Sequence, residues 1–334
     1  MGKADVNVNI WLSEKKRFAN LFNGVIYGGR QVILPEDLVE VNSVSSVSVK
    51  NRAGKTKNMK RYRDIIMKWR NQATLVLLAN ESQGKVHYAM PHKVMLYDGM
   101  DYETQIRNNW KNFNDRRKQN KKAGQPLEHL TAGEYLSRFR KKDRLIPIIS
   151  LVFYYGSEPW DGPVDLYDMF QLEGTKEEKE IWGNYLPNYK INLVDAERLE
   201  DVEKFSDDLQ VILTMLRYRD SKEELTDYIN ENKKFFQNVD YETSQAMKAF
   251  LNMKQIPGEA EHKEEMVDMC KAIQEMYDDG VKDGIRQGVE RGIAAVIRTC
   301  RNLNVSKEDT LNNIQREYEL SKEDAEKYLE TYWK

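Results

Sequence analysis

The stretch Ile146-Pro147-Ile148-Ile149-Ser150-Leu151-Val152-Phe153-Tyr154-Tyr155 decides the fold. It is the longest apolar run in the chain, about half of what a bilayer-spanning helix requires, and it ends in the turn-rich Gly156-Ser157-Glu158-Pro159-Trp160-Asp161-Gly162-Pro163. A short, continuous apolar run of this kind reads as a strand covered on both faces, the pattern of a sheet flanked by helices. Toward the N-terminus, Leu75-Val76-Leu77-Leu78 within Thr74 to Ala79 repeats the pattern, and Tyr62 to Met67 is a further strand candidate. Val44, Val47 and Val49 lie in a Ser-rich extended segment, followed by a basic, Gly-containing turn around Arg52 to Lys60, expected as the first strand and hairpin. Phe18, Leu21 and Phe22 have helical spacing, so a first helix is predicted over 13–23 with Ser13 as its cap. Met90, Val94, Tyr97 and Ile106 predict a long helix from Val86 to Arg107, interrupted near its start by Pro91. The order is α-β-β-β-α-β. Beyond Asp195 the pattern turns helical, with Phe205, Leu209, Ile212, Leu213 and Leu216 as one apolar stripe. The expectation is an α/β fold, a mixed sheet flanked by helices, over 1–195, with a helical C-terminal region over 196–334.

Composition narrows the partners. Hydrophobic residues make up 40% and charged residues 32% of 334, as in an ordinary globular chain. The net charge of −2 hides an asymmetry: residues 1–150 hold 28 Lys/Arg against 14 Asp/Glu, and the remainder is acidic. A basic half attracts phosphate backbones; the alternative is two solvated surfaces of opposite sign. There is no basic-then-apolar leader pattern, and Val6 stands where a myristoylation signal needs Ser or Thr, so neither membrane insertion nor secretion is expected. The two cysteines, Cys270 and Cys300, have no zinc or disulfide spacing, which fits a cytoplasmic location. Near the C-terminus, Ser306-Lys307-Glu308-Asp309 and Ser321-Lys322-Glu323-Asp324 read as helix starts. Gly280, Gly284, Gly288 and Gly292 recur every fourth residue in a helical segment, either as a face for close helix approach or as a solvent-exposed helix or hinge.

Phosphodiester hydrolysis needs a nucleophilic water, neutralised charge at phosphorus and a stabilised leaving oxygen, all of which a divalent metal supplies. Magnesium asks for only one or two carboxylates. Asp64 on one strand and Glu81 at the end of the next meet that need, and strand alternation would put Gln83 on the face of Glu81. Their 17-residue separation suits adjacent antiparallel strands. By spacing alone, Asp64 beside Arg61 and Arg63 is equally readable as a surface ion pair.

Six motifs in register add to this: Arg17-Phe18-Ala19-Asn20-Leu21-Phe22-Asn23, Tyr62-Arg63-Asp64-Ile65-Ile66, Asn80-Glu81-Ser82-Gln83, Val86 to Pro91 with Met95-Leu96-Tyr97-Asp98, Ile148 to Gly156, and Pro159 to Pro163. Their order resembles the family of recombination-promoting nucleases and putative transposases, of the PD-(D/E)XK superfamily, over residues 13 to about 195. The resemblance implies a restriction-endonuclease-like core in which Asp64 and Glu81 hold Mg²⁺, or Mn²⁺, and Gln83 replaces the superfamily's usual lysine. An amide orients water but supplies no positive charge, so Lys85 or Lys93 would compensate, or the metal would do more. Family members often carry an acid where this chain has Asn20; Glu14 is the nearby acid, read either as a third ligand or as a helix-start carboxylate.

The leading expectation is therefore a metal-dependent DNA endonuclease of mobile-element type, with Lys93, Arg107, Lys111, Arg116 and Arg117 against the DNA backbone and further cations of 107–122 and 138–144 beside them. Cutting both strands with one site per chain favours a homodimer. The alternative is a DNA-binding or scaffolding protein that keeps the fold without turnover; a third reading is a protein-interaction module dominated by the acidic half. His87 and His92 are read as packing or phosphate-contact residues, and Trp160 as a structural plug.

Overall fold

The computed structural model describes residues 3–41, 44–50, 56–62, 65–70, 72–79, 86–253, 256 and 266–333. The chain divides into two compact units, Met1–Phe235 with Val239–Val267, and Phe236–Asn238 with Asp268–Lys334.

The first unit opens with α1 (Lys3–Ser13) and α2 (Lys15–Tyr27). The expected cap is corrected: Ser13 closes α1, its hydroxyl donating to the Ile10 carbonyl at 2.7 Å, and Glu14 caps α2. Glu14 is extended, with ψ 124°, which breaks the helix and leaves its carboxylate to accept from the Arg17 N–H at 3.4 Å. Gly29 turns the chain out of α2 at φ 88°, a left-handed conformation suited to glycine, and returns its N–H to the Asn23 carbonyl at 3.0 Å.

A five-stranded mixed sheet follows, made of β1 (Leu38–Glu40), β4 (Ile65–Trp69), β5 (Ala73–Ala79), β6 (Ile148–Tyr154) and β7 (Asn192–Asp195), in the spatial order β1-β4-β5-β6-β7. Between β1 and β4 lies a separate hairpin of β2 (Val44–Lys50) and β3 (Thr56–Tyr62). Two expectations change here. Thr56 to Lys60 is strand and not turn, because a seven-residue antiparallel ladder from Val44 opposite Tyr62 to Lys50 opposite Thr56 extends the backbone. The short edge strand β1 was not anticipated; three residues are too few to show alternation, and its pairing with β4 defines it.

β5, β6 and β7 are mutually parallel, while β4 is antiparallel to both β1 and β5. A parallel pair needs a long crossover, and α3 (Met90–Lys122) supplies it between β5 and β6. At 33 residues it runs well past the expected end at Arg107, with Pro91 in its first turn, where proline is tolerated, and neither Gly nor Pro between Arg107 and Ala123. Ile66, Val76 and Val152 from three strands pack under Met90 and Val94 of α3, with Ile191 completing the cluster. Each such side chain stabilises the fold by about 1.5–3 kcal/mol on burial. On the other face Met67, Leu75, Leu151 and Phe153 are fully buried, and α1 approaches β5 there.

The remaining helices of this unit are α4 (Ala132–Ser137), α5 (Lys176–Gly183), α6 (Asp207–Tyr218), α7 (Lys222–Glu231), α8 (Lys233–Phe236), which ends at the boundary between the units, and α9 (Tyr241–Phe250). Thr131 with Glu134 and Thr175 with Glu178 form reciprocal capping boxes that start α4 and α5. α9 packs on α1: the Trp11 indole donates to Thr243 Oγ1 at 3.1 Å and its ring stands edge-on to Phe250 at 5.7 Å.

The second unit is α10 (Met269–Asn302), α11 (Lys307–Tyr318) and α12 (Lys322–Tyr332), around a core of Ile293, Ile297, Ile314 and Ala325. Ser306 and Ser321 cap α11 and α12 as read from the sequence. Among the described residues no helix is long and apolar enough to cross a membrane.

Candidate nuclease site and nucleic-acid interface

Strand directions place the site. β1, β5, β6 and β7 run one way and β4 the other, so the carboxyl ends of four strands and the start of β4 share one end of the sheet. In open α/β sheets that end is where ligands bind. In sequence Asp64 immediately precedes β4, and Glu81 and Gln83 follow β5 by two and four residues; all three, with Lys85, lie outside the described residues. What the structure shows is their frame: Ile65 opposite Leu77 and Ile66 opposite Val76. Among the described residues no group of three His, Cys, Asp or Glu could hold a metal ion.

Past the end of β7 a carboxylate braces the fold. Glu197, just past β7, takes the Arg219 guanidinium at 2.7 Å and that of Arg198 at 3.2 Å. Arg219 also donates to the Tyr155 carbonyl at 2.8 Å, and Arg198 to that of Ser157 at 2.6 Å. The network ties the ends of β6 and β7 to the end of α6. Burial pushes the Glu197 carboxyl above its ordinary range, with Arg219 and then Arg198 opposing. Trp160 packs down as a plug, its indole donating to the Gly162 carbonyl at 2.8 Å and its ring edge-on to Tyr154 at 5.3 Å. Gly162 is required there, since a Cβ would lie 2.6 Å from the Val86 side chain. His87 is half-buried, with no hydrogen-bond partner for its Nδ1 among the described residues, and His92 is exposed.

Beneath α3, the buried Asp98 accepts hydrogen bonds from Ser150 Oγ at 2.8 Å and from the Tyr189 hydroxyl. A buried carboxylate is tolerated only when hydrogen-bonded, and these bonds fix α3 against β6 and the approach to β7. Asp98 stands in one of the motifs quoted above, but spacing alone gave no sign of this role.

The α3 cations differ in availability. Arg107 pairs with Glu103 at 2.8 Å on the surface, and Lys93 is half-buried with its ammonium 5.8 Å from the Tyr97 ring. Lys111, Arg116 and Arg117 are exposed. Farther on, Arg140 is structural: it pairs with Asp143 at 2.6 Å and Glu128 at 3.4 Å and covers the Phe113 ring at 4.5 Å. The Arg140 hydrogen bond holds the Asp143 carboxyl below its ordinary range, against the opposing effect of burial. Lys142 pairs with Glu128 at 2.8 Å and Arg144 donates to the carbonyls of Lys141 and Asp143, which leaves Arg138 and Lys141 as the more outward cations of 138–144.

The first helices supply no carboxylate to the sheet end in the described contacts. Asn20, 4% exposed, donates to the Ser206 carbonyl at 2.6 Å and accepts from the Ser206 N–H at 3.2 Å, a reciprocal pair that only an amide can complete. Asn23, fully buried, accepts from the N–H groups of Ile33 at 2.9 Å and Val32 at 3.1 Å and donates to the Ile33 carbonyl at 2.8 Å. Arg17 joins three helices: it bonds Asp208 at the start of α6, and Asp240 at 3.2 Å and Thr243 at 3.1 Å at the start of α9.

Residues 130–247 match the family model described as "Putative transposase, YhgA-like". Over this segment the chain is similar to the YhgA-like putative transposase family. That family falls in the PD-(D/E)XK nuclease-like group, in keeping with the resemblance read from the motifs. The match spans about a third of the chain and takes in β6, β7 and α4 to α9, so the family segment runs from the sheet into the helices that follow it. Comparisons with curated proteins and with solved structures give no match.

Proposed function

We propose that the chain is a metal-dependent DNA endonuclease that hydrolyses phosphodiester bonds. The supporting observation is the antiparallel β4–β5 register, which sets the start of one strand and the end of the other at the carboxyl end of the mixed sheet, in a chain whose residues 130–247 match a putative transposase family model. Asp64 and Glu81 would hold Mg²⁺ or Mn²⁺, and Gln83 would orient the water. The metal, when bound, would supply charge neutralisation at phosphorus and an acidified water. The exposed Lys111, Arg116 and Arg117, with Arg107 and Lys93 nearer the start of α3, would contact phosphates. The same reading puts the protein in the cytoplasm, where Cys270 and Cys300, which form no disulfide, stay reduced.

The test is cleavage of supercoiled plasmid by purified protein with Mg²⁺ or Mn²⁺, beside EDTA and Asp64→Ala. Nicked or linear product that disappears in both controls is expected; intact plasmid under every condition overturns the proposal. A second reading, DNA binding without turnover, is favoured by Asn20, whose amide is committed to Ser206 where the nuclease family that the motifs resemble would place an acid. Under that reading DNA affinity is indifferent to Mg²⁺ and survives Glu81→Ala, and no product forms.

A further inference from the structure

The two halves of α3 have different surroundings. The first half lies on the sheet, and by Gln105 it has reached the start of β6: the Gln105 amide donates to the Ile146 carbonyl at 3.0 Å and accepts from the Ile146 N–H at 2.7 Å. The second half continues past the amino end of the parallel strands, where an aromatic ladder joins it to α4. Phe113 is buried beneath the Arg140 guanidinium, Trp110 lies beside it with ring centroids 5.5 Å apart, and Tyr135 of α4 meets Trp110 edge-on at 6.2 Å. The ladder leads outward: Tyr135 is 68% exposed, and Leu136 next to it 86%. A ring positioned by packing along one edge and left in water over the rest needs a reason. The charges beside it supply one. The carboxylates are already engaged, Glu128 by Arg140 and Lys142, Asp143 by Arg140, Asp115 by Lys118, and Glu134 in the capping box of α4. Arg117 and Lys121 stand seven and eleven positions after Trp110, on the same face of α3, and Arg138 follows α4 directly. All three are exposed, and none has an acidic partner among the described residues.

We infer that this surface binds unpaired nucleotides of DNA, with Tyr135 as the platform on which a base stacks and Arg117, Lys121 and Arg138 against the phosphates. Chemistry selects the occupant. Cations alone neutralise phosphate and serve a duplex and a single strand alike. A protruding aromatic ring asks for a partner with a free π-face, which a base offers only when it has left the stack. The surface is separate from the candidate nuclease centre, since Trp110 lies 20 residues, about 30 Å along the helix axis, beyond Met90 at the start of α3. The substrate class is therefore DNA with an unpaired stretch, held at one end of the sheet while the other end faces the bond to be cut. The inference rests on the proposed action on DNA only for the choice of nucleic acid.

Fluorescence anisotropy of the full chain with labelled oligo(dT) and with a blunt duplex of equal length, both in EDTA, tests it. Tyr135→Ala, on an exposed site, is expected to weaken oligo(dT) binding about tenfold and to leave duplex affinity within about twofold. Tyr135→Phe keeps the ring and should bind oligo(dT) as wild type does. Arg117→Ala with Lys121→Ala should weaken oligo(dT) binding and flatten its salt dependence. No binding of oligo(dT), or binding indifferent to Tyr135→Ala, overturns the site; an equal loss on the duplex also overturns it and marks an apolar wedge that enters paired DNA. Oligo(U) bound more tightly than oligo(dT) overturns the assignment to DNA. Plasmid cleavage that depends on Asp64, without any effect of Tyr135→Ala on oligo(dT), sinks this inference alone. A Tyr135-dependent complex with oligo(dT) in a chain that cuts nothing sinks the nuclease reading alone.

Discussion

Two sets of basic residues within the first 150 positions behave in opposite ways. Arg17 and Arg140 are largely buried and paired, each joining segments that would otherwise separate, whereas Lys111, Arg116 and Arg117 on the far half of α3 point to solvent. The excess of Lys/Arg over Asp/Glu in this half is therefore not one property. Part of it builds the fold, and part is surface charge that a phosphate backbone can use.

Three substitutions probe that division. The largest effect is expected for Arg17→Ala, which strips Asp208, Asp240 and Thr243 of their shared donor and should lower unfolding stability by about 3 kcal/mol in chemical denaturation. A change within experimental error would show that α2, α6 and α9 are held by apolar packing alone. Next is Asn20→Asp, which keeps the acceptor for the Ser206 N–H but sets a carboxylate against the Ser206 carbonyl, for an expected loss of about 1–2 kcal/mol. If that variant is instead as stable as wild type and cleaves plasmid faster, the residue belongs to the catalytic set and not to the scaffold. The smallest effect on stability, within about 0.5 kcal/mol, is expected for the triple variant Lys111→Glu, Arg116→Glu, Arg117→Glu. Its DNA affinity should fall together with the salt dependence, by about one unit of slope for each phosphate that is no longer neutralised; undiminished affinity would locate the interface elsewhere.

Much of the fold was legible because it is written in apolar periodicity. Ile146 to Tyr155 and Leu75 to Leu78 have no polar face, and the sheet's central parallel pair lies where they do. The ends of elements were harder. Polar residues after Arg107 gave no apolar stripe, yet α3 continues to Lys122, since lysine, arginine and glutamine sustain a helix without needing a buried face. The hairpin was blurred for the opposite reason: Lys57, Asn58 and Lys60 favour a turn locally, and only the ladder with Val44–Lys50 makes them strand. The candidate ligands Asp64, Glu81 and Gln83 came from spacing and resemblance. The polar groups that hold the frame, Asp98 with Ser150 and Tyr189, or Asn20 with Ser206, escaped because their partners are 52, 91 and 186 residues away in sequence.

The pairing of α1 with α9 has a consequence for synthesis on the ribosome. Trp11 and Thr243 are 232 residues apart, so the surface that α9 lends to Trp11 does not exist until α9 has emerged. At about 5–20 residues per second, α1 waits roughly ten to fifty seconds for that cover. During that interval the nascent chain offers the Trp11 side of α1 to chaperones and to its neighbours on the same message.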